Sequence, residues 1–135
     1  MKSISSSLLP ALLALGAATA SAQTVTTVLN NGPTGELYDI VILGDGYRSS
    51  EQAQFNQDVL DTINYFRTDP SKFPYGEYFD CYNVHSVFRA SVESGADDPC
   101  ATPPVVRNTA YDASYCVGGT ARCLYINNTT QAATD

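Results

Sequence analysis

The chain has 135 residues, with 14 acidic and 7 basic side chains and a net charge of −7 at pH 7. An acidic protein whose basic residues are scattered singly is not suited to bind nucleic acid or an anionic membrane surface by electrostatic attraction. The length allows one domain with a modest core, since 44% of the residues are hydrophobic.

Residues 1–22 have the features of a secretory signal peptide. Lys2 supplies a positive charge, Leu8–Ala18 is an apolar run, and Ala20–Ala22 forms a cleavage site of small residues. The run is shorter than the roughly 20 residues that a helix needs to cross a bilayer. We expect a mature chain that begins at Gln23, is secreted into the periplasm or the extracellular space, and has no membrane attachment. A retained N-terminal anchor is the alternative.

Two strands are predicted before the first long helix. Thr24–Asn31 alternates weakly and is typical of an edge strand. Tyr38–Leu43 is an almost continuous apolar run rich in β-branched residues, which indicates a strand buried on both faces. The turn Gly44-Asp45-Gly46 ends it, because glycine tolerates the backbone angles that a tight turn requires.

One amphipathic helix should follow this turn and pack against the sheet. Ser49 and Gln52 form a capping-box pattern, and Thr68-Asp69-Pro70 ends the helix. Apolar residues recur at helical spacing: Phe55, Val59, Ile63 and Phe66. Tyr82–Arg89 is the next strand, so that a strand–helix–strand crossover is predicted.

The last third of the chain has little regular pattern. Ser91–Gly119 is a long loop with three prolines and three glycines, Arg122–Ile126 is a short third element, and Thr129 caps a final helix. We therefore predict an α/β fold with a small mixed sheet, at least one crossover helix and a long irregular loop. The helix that begins in the last residues is expected to mark a sequence cut short.

Four cysteines follow the predicted cleavage site, and an even number in an exported chain favours disulfide bonds. They are Cys81, Cys100, Cys116 and Cys123. Of three pairings we predict Cys81–Cys100 and Cys116–Cys123, because Pro99 and the Gly118-Gly119 pair can turn the short loops. A structural zinc site is the alternative, although no two of the cysteines have Cys-x-x-Cys spacing.

His85 is the only histidine of the chain. A zinc peptidase needs two imidazoles one helical turn apart and a glutamate between them, which a single histidine cannot supply. We interpret His85 as a packed or partly exposed strand residue. A Ser–His–Asp triad built on it is the alternative, but no Gly-x-Ser-x-Gly turn presents a serine. We predict no catalytic and no metal-binding residue in this chain.

Asp45 is the one residue that we predict to line a substrate cleft. It follows a strand and precedes a helix, at the end of the sheet where α/β proteins bind ligands. The Gly-Asp-Gly turn lacks the further glycines of a dinucleotide loop and the lysine of a phosphate loop. A purely structural turn is therefore the alternative for Asp45.

Two other groups of polar residues are candidate sites for a metal ion or for glycosylation. Glu93, Asp97 and Asp98 offer oxygen ligands for calcium, but their spacing is not that of an EF-hand, so a solvated acidic loop is the simpler interpretation. Asn127 and Asn128 each begin an Asn-x-Thr glycosylation sequon, which matters only in a host that glycosylates.

Several motifs follow one another along about 38–128. They are Leu43–Tyr47 before a capped helix, Tyr78-Phe79 with Asn83–His85, Glu93–Asp97, and Thr109–Asp112 leading to Arg122. In this order they resemble the front half of the catalytic domain in the immunoglobulin-A peptidase family of secreted zinc metallopeptidases. The resemblance implies a zincin-like α/β domain in which zinc activates a water molecule and polarises the scissile carbonyl.

The family's His-Glu-x-x-His helix has no counterpart in this sequence. We therefore expect 23–135 to be a truncated zincin-like domain that is not competent by itself. Zinc and a polypeptide substrate are expected only in the complete protein, with a missing C-terminal half or a complementing chain. The alternative is a stand-alone exported binding domain that has lost catalysis.

Overall fold

The computed structural model describes residues 23–121 and 123–135, so the predicted signal peptide over 1–22 and Arg122 lie outside the described residues. The strands are β1 (Thr24–Leu29), β2 (Tyr38–Gly44), β3 (Tyr82–Phe88), β4 (Ala113–Ser114) and β5 (Tyr125–Ile126). The helices are α1 (Gln52–Thr68) and α2 (Thr129–Thr134), with short 3₁₀ turns at Ser49–Glu51, Pro70–Lys72, Tyr75–Cys81 and Val117–Gly119. No described helix is long and apolar enough to cross a membrane.

The main sheet has three strands in the order β1-β3-β2. β1 runs antiparallel to β3, and β2 runs parallel to it, with Ile40 opposite Val84. The chain passes from β2 through α1 to β3, which confirms the predicted strand–helix–strand crossover. β1 is an edge strand, as predicted, and the sheet is mixed.

The prediction that the second strand is buried on both faces is wrong. β2 is the other edge strand, and Ile40 and Val41 on its two faces are 40% and 53% exposed. The central position belongs to β3, where Val84 and Val87 are each 2% exposed. A run of apolar residues indicates a strand, but the order of the strands in a sheet depends on long-range pairing that the run does not contain.

α1 packs its apolar stripe on one face of the sheet, as predicted. Phe55 and Val59 are each 2% exposed, and the Phe55 ring lies 5.6 Å from the ring of Phe88 in β3. Farther along the helix the stripe leaves the core, because Phe66 is 39% exposed. The core is therefore concentrated at the N-terminal half of α1, beside the carboxyl end of the sheet.

α1 ends at Thr68, as predicted, but the predicted capping box of Ser49 and Gln52 is wrong. The capping box lies one residue earlier, where the Arg48 N–H donates to the Glu51 carboxylate at 2.7 Å. α2 begins at Thr129, but its cap is Asn128, whose side chain accepts from the Gln131 N–H at 3.2 Å.

The long loop after β3 is ordered by short pairings. Asp97 pairs with Ser114, Asp98 pairs with Val105, and β4 pairs antiparallel with β5. These pairings bring Cys100 and Cys116 together in a disulfide with a Cα–Cα distance of 6.1 Å.

The predicted pairings Cys81–Cys100 and Cys116–Cys123 are therefore wrong, because each of them uses one cysteine of the observed bond. Cys81 and Cys123 are exposed free thiols. Pro99 and the Gly118-Gly119 pair can turn the chain, but the distance between Cys100 and Cys116 is set by the pairing of 97–98 with residues 105 and 114.

Candidate functional site

Asp45 lies directly after β2 and holds the loop that follows β3. Its carboxylate accepts hydrogen bonds from the Tyr111 N–H at 2.9 Å, the Ala113 N–H at 3.0 Å and the Thr109 hydroxyl at 2.8 Å. The Ser91 hydroxyl lies 3.4 Å from the same group. Both carboxylate oxygens are thus engaged, and the structure gives Asp45 an organising role that its sequence context did not reveal.

The glycine that follows Asp45 is explained by a close backbone contact. Gly46 has φ +71, and a Cβ atom at this position would lie 2.1 Å from the carbonyl oxygen of Gly95. The Gly95 N–H donates to the Gly46 carbonyl at 2.9 Å, and the Gly46 N–H donates to the Ser91 hydroxyl at 3.1 Å. The Gly-Asp-Gly turn is therefore the point where the sheet joins the loop over 91–97.

Two small pockets lie beside Asp45. One of about 200 Å³ extends toward α1 and the β5 region, and one of about 240 Å³ lies between Gly46 and Leu124. In the first, the Tyr47 hydroxyl donates to Asp58 at 2.8 Å. Burial and the adjacent Asp58 carboxylate raise the pKa of Tyr47 to about 12. Asp45 borders both pockets, and its role in a substrate cleft stays a prediction.

A larger apolar groove of about 340 Å³ lies between α1 and β2, near the amino end of β2 and β3. Apart from Thr62, its lining side chains are all aliphatic or aromatic. They are Ile40, Ile42, Ile63, Phe66, Tyr75, Phe79, Tyr82 and Val84. The groove continues the exposed edge of β2, so that an apolar strand and an apolar groove form one surface.

His85 lies on the opposite face of the sheet from α1, between β1 and β2. Its Nδ1 is 3.1 Å from the Thr27 hydroxyl, and its Nε2 is 3.5 Å from the Asp39 carboxylate. The side chain is 24% exposed, which agrees with the interpretation of a partly exposed strand histidine. Thr27, His85 and Asp39 contact one another in the order of a triad, but a threonine stands in place of the serine. Thr27 also lies in a strand rather than on a turn.

Asn83, one pleat away on the same face, explains part of the motif around His85. It is 2% exposed, and its side-chain oxygen accepts from the Asn31 N–H at 2.9 Å. Its amide nitrogen donates to Asp39 at 2.9 Å. Asn83 thus ties the turn after β1 to both other strands, a role visible only once the register is known.

A partly buried ion pair that the sequence did not indicate connects the end of β3 to α2. The Asp135 side chain is 2% exposed and pairs with the Arg89 guanidinium. Tyr111 donates to it at 2.9 Å and Gln131 at 2.8 Å. Arg89 lowers the pKa of Asp135 to about 2, while burial raises the pKa of Tyr111 well above its usual range.

The acidic residues of the loop serve its backbone. Glu93 accepts from the Asn108 N–H at 2.7 Å, Asp98 accepts from the Cys100 N–H at 3.0 Å, and Asp97 accepts from the Arg107 N–H. These three carboxylates therefore accept from backbone N–H groups of the loop rather than being merely solvated side chains.

The described residues do not fit a zinc site. Within 23–121 and 123–135 no three His, Cys, Asp or Glu side chains form a group that could hold a metal ion. The one histidine is placed between Thr27 and Asp39, so that it is not presented with a second nitrogen or sulfur ligand.

Comparisons with known proteins agree with the motifs described in the sequence. No curated protein matches the chain. The family model described as IgA Peptidase M64 matches residues 26–135, which include the whole main sheet beyond the first two residues of β1. The match confirms the resemblance to the immunoglobulin-A peptidases: the chain belongs to the IgA peptidase M64 family.

Proposed function

We propose that this chain forms the N-terminal part of the catalytic domain of a secreted zinc metallopeptidase and does not hydrolyse peptide bonds by itself. Membership of the IgA peptidase M64 family supports the reaction class. The single histidine, and its engagement by Thr27 and Asp39, support the view that zinc ligands come from outside this chain.

The observation that carries the proposal is the exposed apolar edge of the sheet. β2 is the strand with the longest apolar run, yet it lies at an edge with Ile40 and Val41 uncovered. An edge strand offers unpaired N–H and C=O groups, and a long apolar one promotes association with another segment. We propose that the rest of the catalytic domain covers β2 and the adjoining groove.

The proposed cofactor and substrate belong to the complete protein. Zinc there activates water for attack on a peptide carbonyl, and the substrate is a polypeptide. The Cys100–Cys116 disulfide is typical of a compartment outside the cytoplasm, which supports export, as does the small-residue cleavage motif before Gln23. The family name does not make immunoglobulin the target of this protein.

The first test is to read the coding DNA beyond codon 135 and to compare two products. We expect an in-frame continuation that encodes His-Glu-x-x-His, and we expect the longer product to cleave casein in a zinc-dependent manner. The matched control is the longer product with the motif glutamate changed to glutamine, which keeps the zinc ligands and removes the general base. The 135-residue chain supplied with equimolar zinc should give no cleavage above background.

Two results would contradict the proposal. One is chelator-sensitive peptide hydrolysis by the 135-residue chain itself. The other is a stop codon at that position with no zinc-binding helix encoded nearby, which would leave the chain without a metal-binding counterpart.

A second candidate function, a stand-alone exported binding domain, is favoured by the completeness of the internal hydrogen bonding. Every buried side-chain nitrogen and oxygen atom of the described residues has a partner. The Arg89–Asp135 pair also holds α2 to the end of β3, and the disulfide closes the loop between Cys100 and Cys116. A sharp, reversible thermal transition of the monomeric 135-residue chain would favour this function over that of an incomplete catalytic domain.

A further inference from the structure

We infer that Gln23, once the signal peptide is removed, cyclises to pyroglutamate, so that the mature protein begins with a lactam and has no free α-amine. The inference concerns a modification site and goes beyond peptide hydrolysis. It rests only on the export that forms part of the proposed function, and not on zinc or on the missing catalytic residues.

The surroundings of Gln23 leave its side chain able to react. Gln23 is exposed and immediately precedes β1, whose first residue, Thr24, pairs with Phe88. Its side-chain oxygen accepts a hydrogen bond from the Arg89 guanidinium at 3.3 Å, which is near the long limit for such a bond. The side chain can therefore turn back toward its own backbone nitrogen without leaving a buried position.

The reaction needs only groups that cleavage after Ala22 provides. The new α-amine of Gln23 attacks its own Cδ, so that an N–Cδ bond forms and the Cδ–Nε2 bond breaks. A proton moves from the attacking nitrogen to the departing nitrogen, which leaves as ammonia. No oxidant or cofactor takes part, and the side-chain oxygen remains as a lactam carbonyl that can still accept a hydrogen bond.

The lactam also protects the first edge of the sheet. Aminopeptidases need a free N-terminal amine, and removal of Gln23 and Thr24 would shorten the ladder that β1 forms with β3. A blocked N-terminus therefore keeps the first strand intact in a compartment that contains other peptidases.

The test is the intact mass and N-terminal sequence of the full 1–135 chain after export from a bacterial host. We expect a mass about 17 Da below that of 23–135 with an open glutamine, which is the loss of ammonia. Edman sequencing should be blocked and should resume at Thr24 after treatment with pyroglutamyl aminopeptidase. The matched control is Gln23→Glu, which keeps the side-chain length but lacks the amide leaving group and should remain open.

The outcomes that would contradict the inference distinguish a failure of signal cleavage from a failure of cyclisation. Cleavage after Ala22 with a free amine on Gln23 overturns the cyclisation and leaves the proposed peptidase untouched. An N-terminus at any other residue, or an uncleaved chain, overturns both the cyclisation and the predicted cleavage site. Neither outcome bears on zinc-dependent activity, which is measured separately on the longer product.

Discussion

At the scale of single residues, Asp45 has the most far-reaching contacts. It accepts hydrogen bonds from residues 64 to 68 positions away, so that one carboxylate links the end of β2 to the loop before β4. Because two of its donors are backbone N–H groups, the interaction fixes the path of the loop and not only its side chains. Any cleft at the carboxyl end of β2 therefore depends on Asp45 for its shape.

We predict that Asp45→Asn destabilises the protein almost as much as Asp45→Ala, by about 2–3 kcal/mol. An asparagine amide nitrogen would face donors at one of the two oxygen positions and leave a backbone N–H without an acceptor. The measurement is urea unfolding followed by circular dichroism. Asp61→Asn is the control, because Asp61 is an exposed helix residue that accepts from Gln57, and it should change stability by less than about 0.5 kcal/mol. Equal effects at the two positions would contradict the assignment.

The lowered pKa of Asp135 predicts that the protein loses stability in acid. Its pKa is lowered to about 2 in the folded protein, against about 3.9 in an unfolded chain. Because the folded pKa is the lower one, its contribution is fully present above about pH 4 and is lost as the pH falls from about 4 to about 2.

The urea midpoint of the wild-type chain should therefore approach that of Asp135→Asn over this range, after exceeding it at pH 7. The expected difference at pH 7 is about 1–2 kcal/mol, because the substitution removes the charged acceptor of the partly exposed Arg89 guanidinium. A gap that stays constant from pH 6 to pH 2.5 would show that the pair does not titrate as described.

The residue scale also marks the limit of sequence reasoning. The position of Asp45 at the end of a strand was predicted, and so was the strand environment of His85. The partners of Asp45, the Arg89–Asp135 pair and the Cys100–Cys116 bond were not, because each joins positions whose proximity is set by the fold of the loop. Local patterns carry no information about such distances.

At the scale of elements, periodicity identified the parts of the main sheet and of α1 correctly. Helical spacing of Phe55 and Val59 placed the stripe that is buried, and β-branched runs located β2 and β3. What periodicity could not supply was the order of the strands. The apolar character of β2 indicated a central strand, whereas its exposure indicates an edge that another segment is suited to cover.

The turn between β2 and α1 gives a prediction about glycine. Gly46→Ala should destabilise the protein by about 3 kcal/mol or more, because the new Cβ meets the Gly95 carbonyl and the backbone has a left-handed φ of +71. Gly35→Ala is the matched control: its φ is +98, but nothing lies within 4 Å of the added carbon. Its cost should be limited to about 1–2 kcal/mol of backbone strain. Thermal unfolding of both variants measures the difference, and similar melting temperatures would contradict the contact.

At the scale of the whole molecule, the exposed edge predicts the behaviour of the chain in solution. Val41→Lys should raise the highest concentration at which the 135-residue chain is still monomeric, because a lysine on an edge strand opposes pairing with another strand. Its stability should change by less than about 1 kcal/mol, since Val41 is 53% exposed. Static light scattering over a concentration series is the measurement.

Val87→Lys provides the contrast, because Val87 is 2% exposed in the central strand and the substitution should unfold the chain. If Val41→Lys left the association unchanged, the edge of β2 would not be the surface through which the chain associates.

The order of the strands also decides when the sheet can form. β3 lies between β1 and β2, so neither of the two earlier strands has its neighbour until the third has been synthesised. His85, the partner of Thr27 in β1, is 58 residues later in the chain. Synthesis of those residues takes about 3–12 s at the usual rate of translation. For that interval β1 and β2 have no partner strand, so the main sheet cannot form before the chain has been made as far as β3.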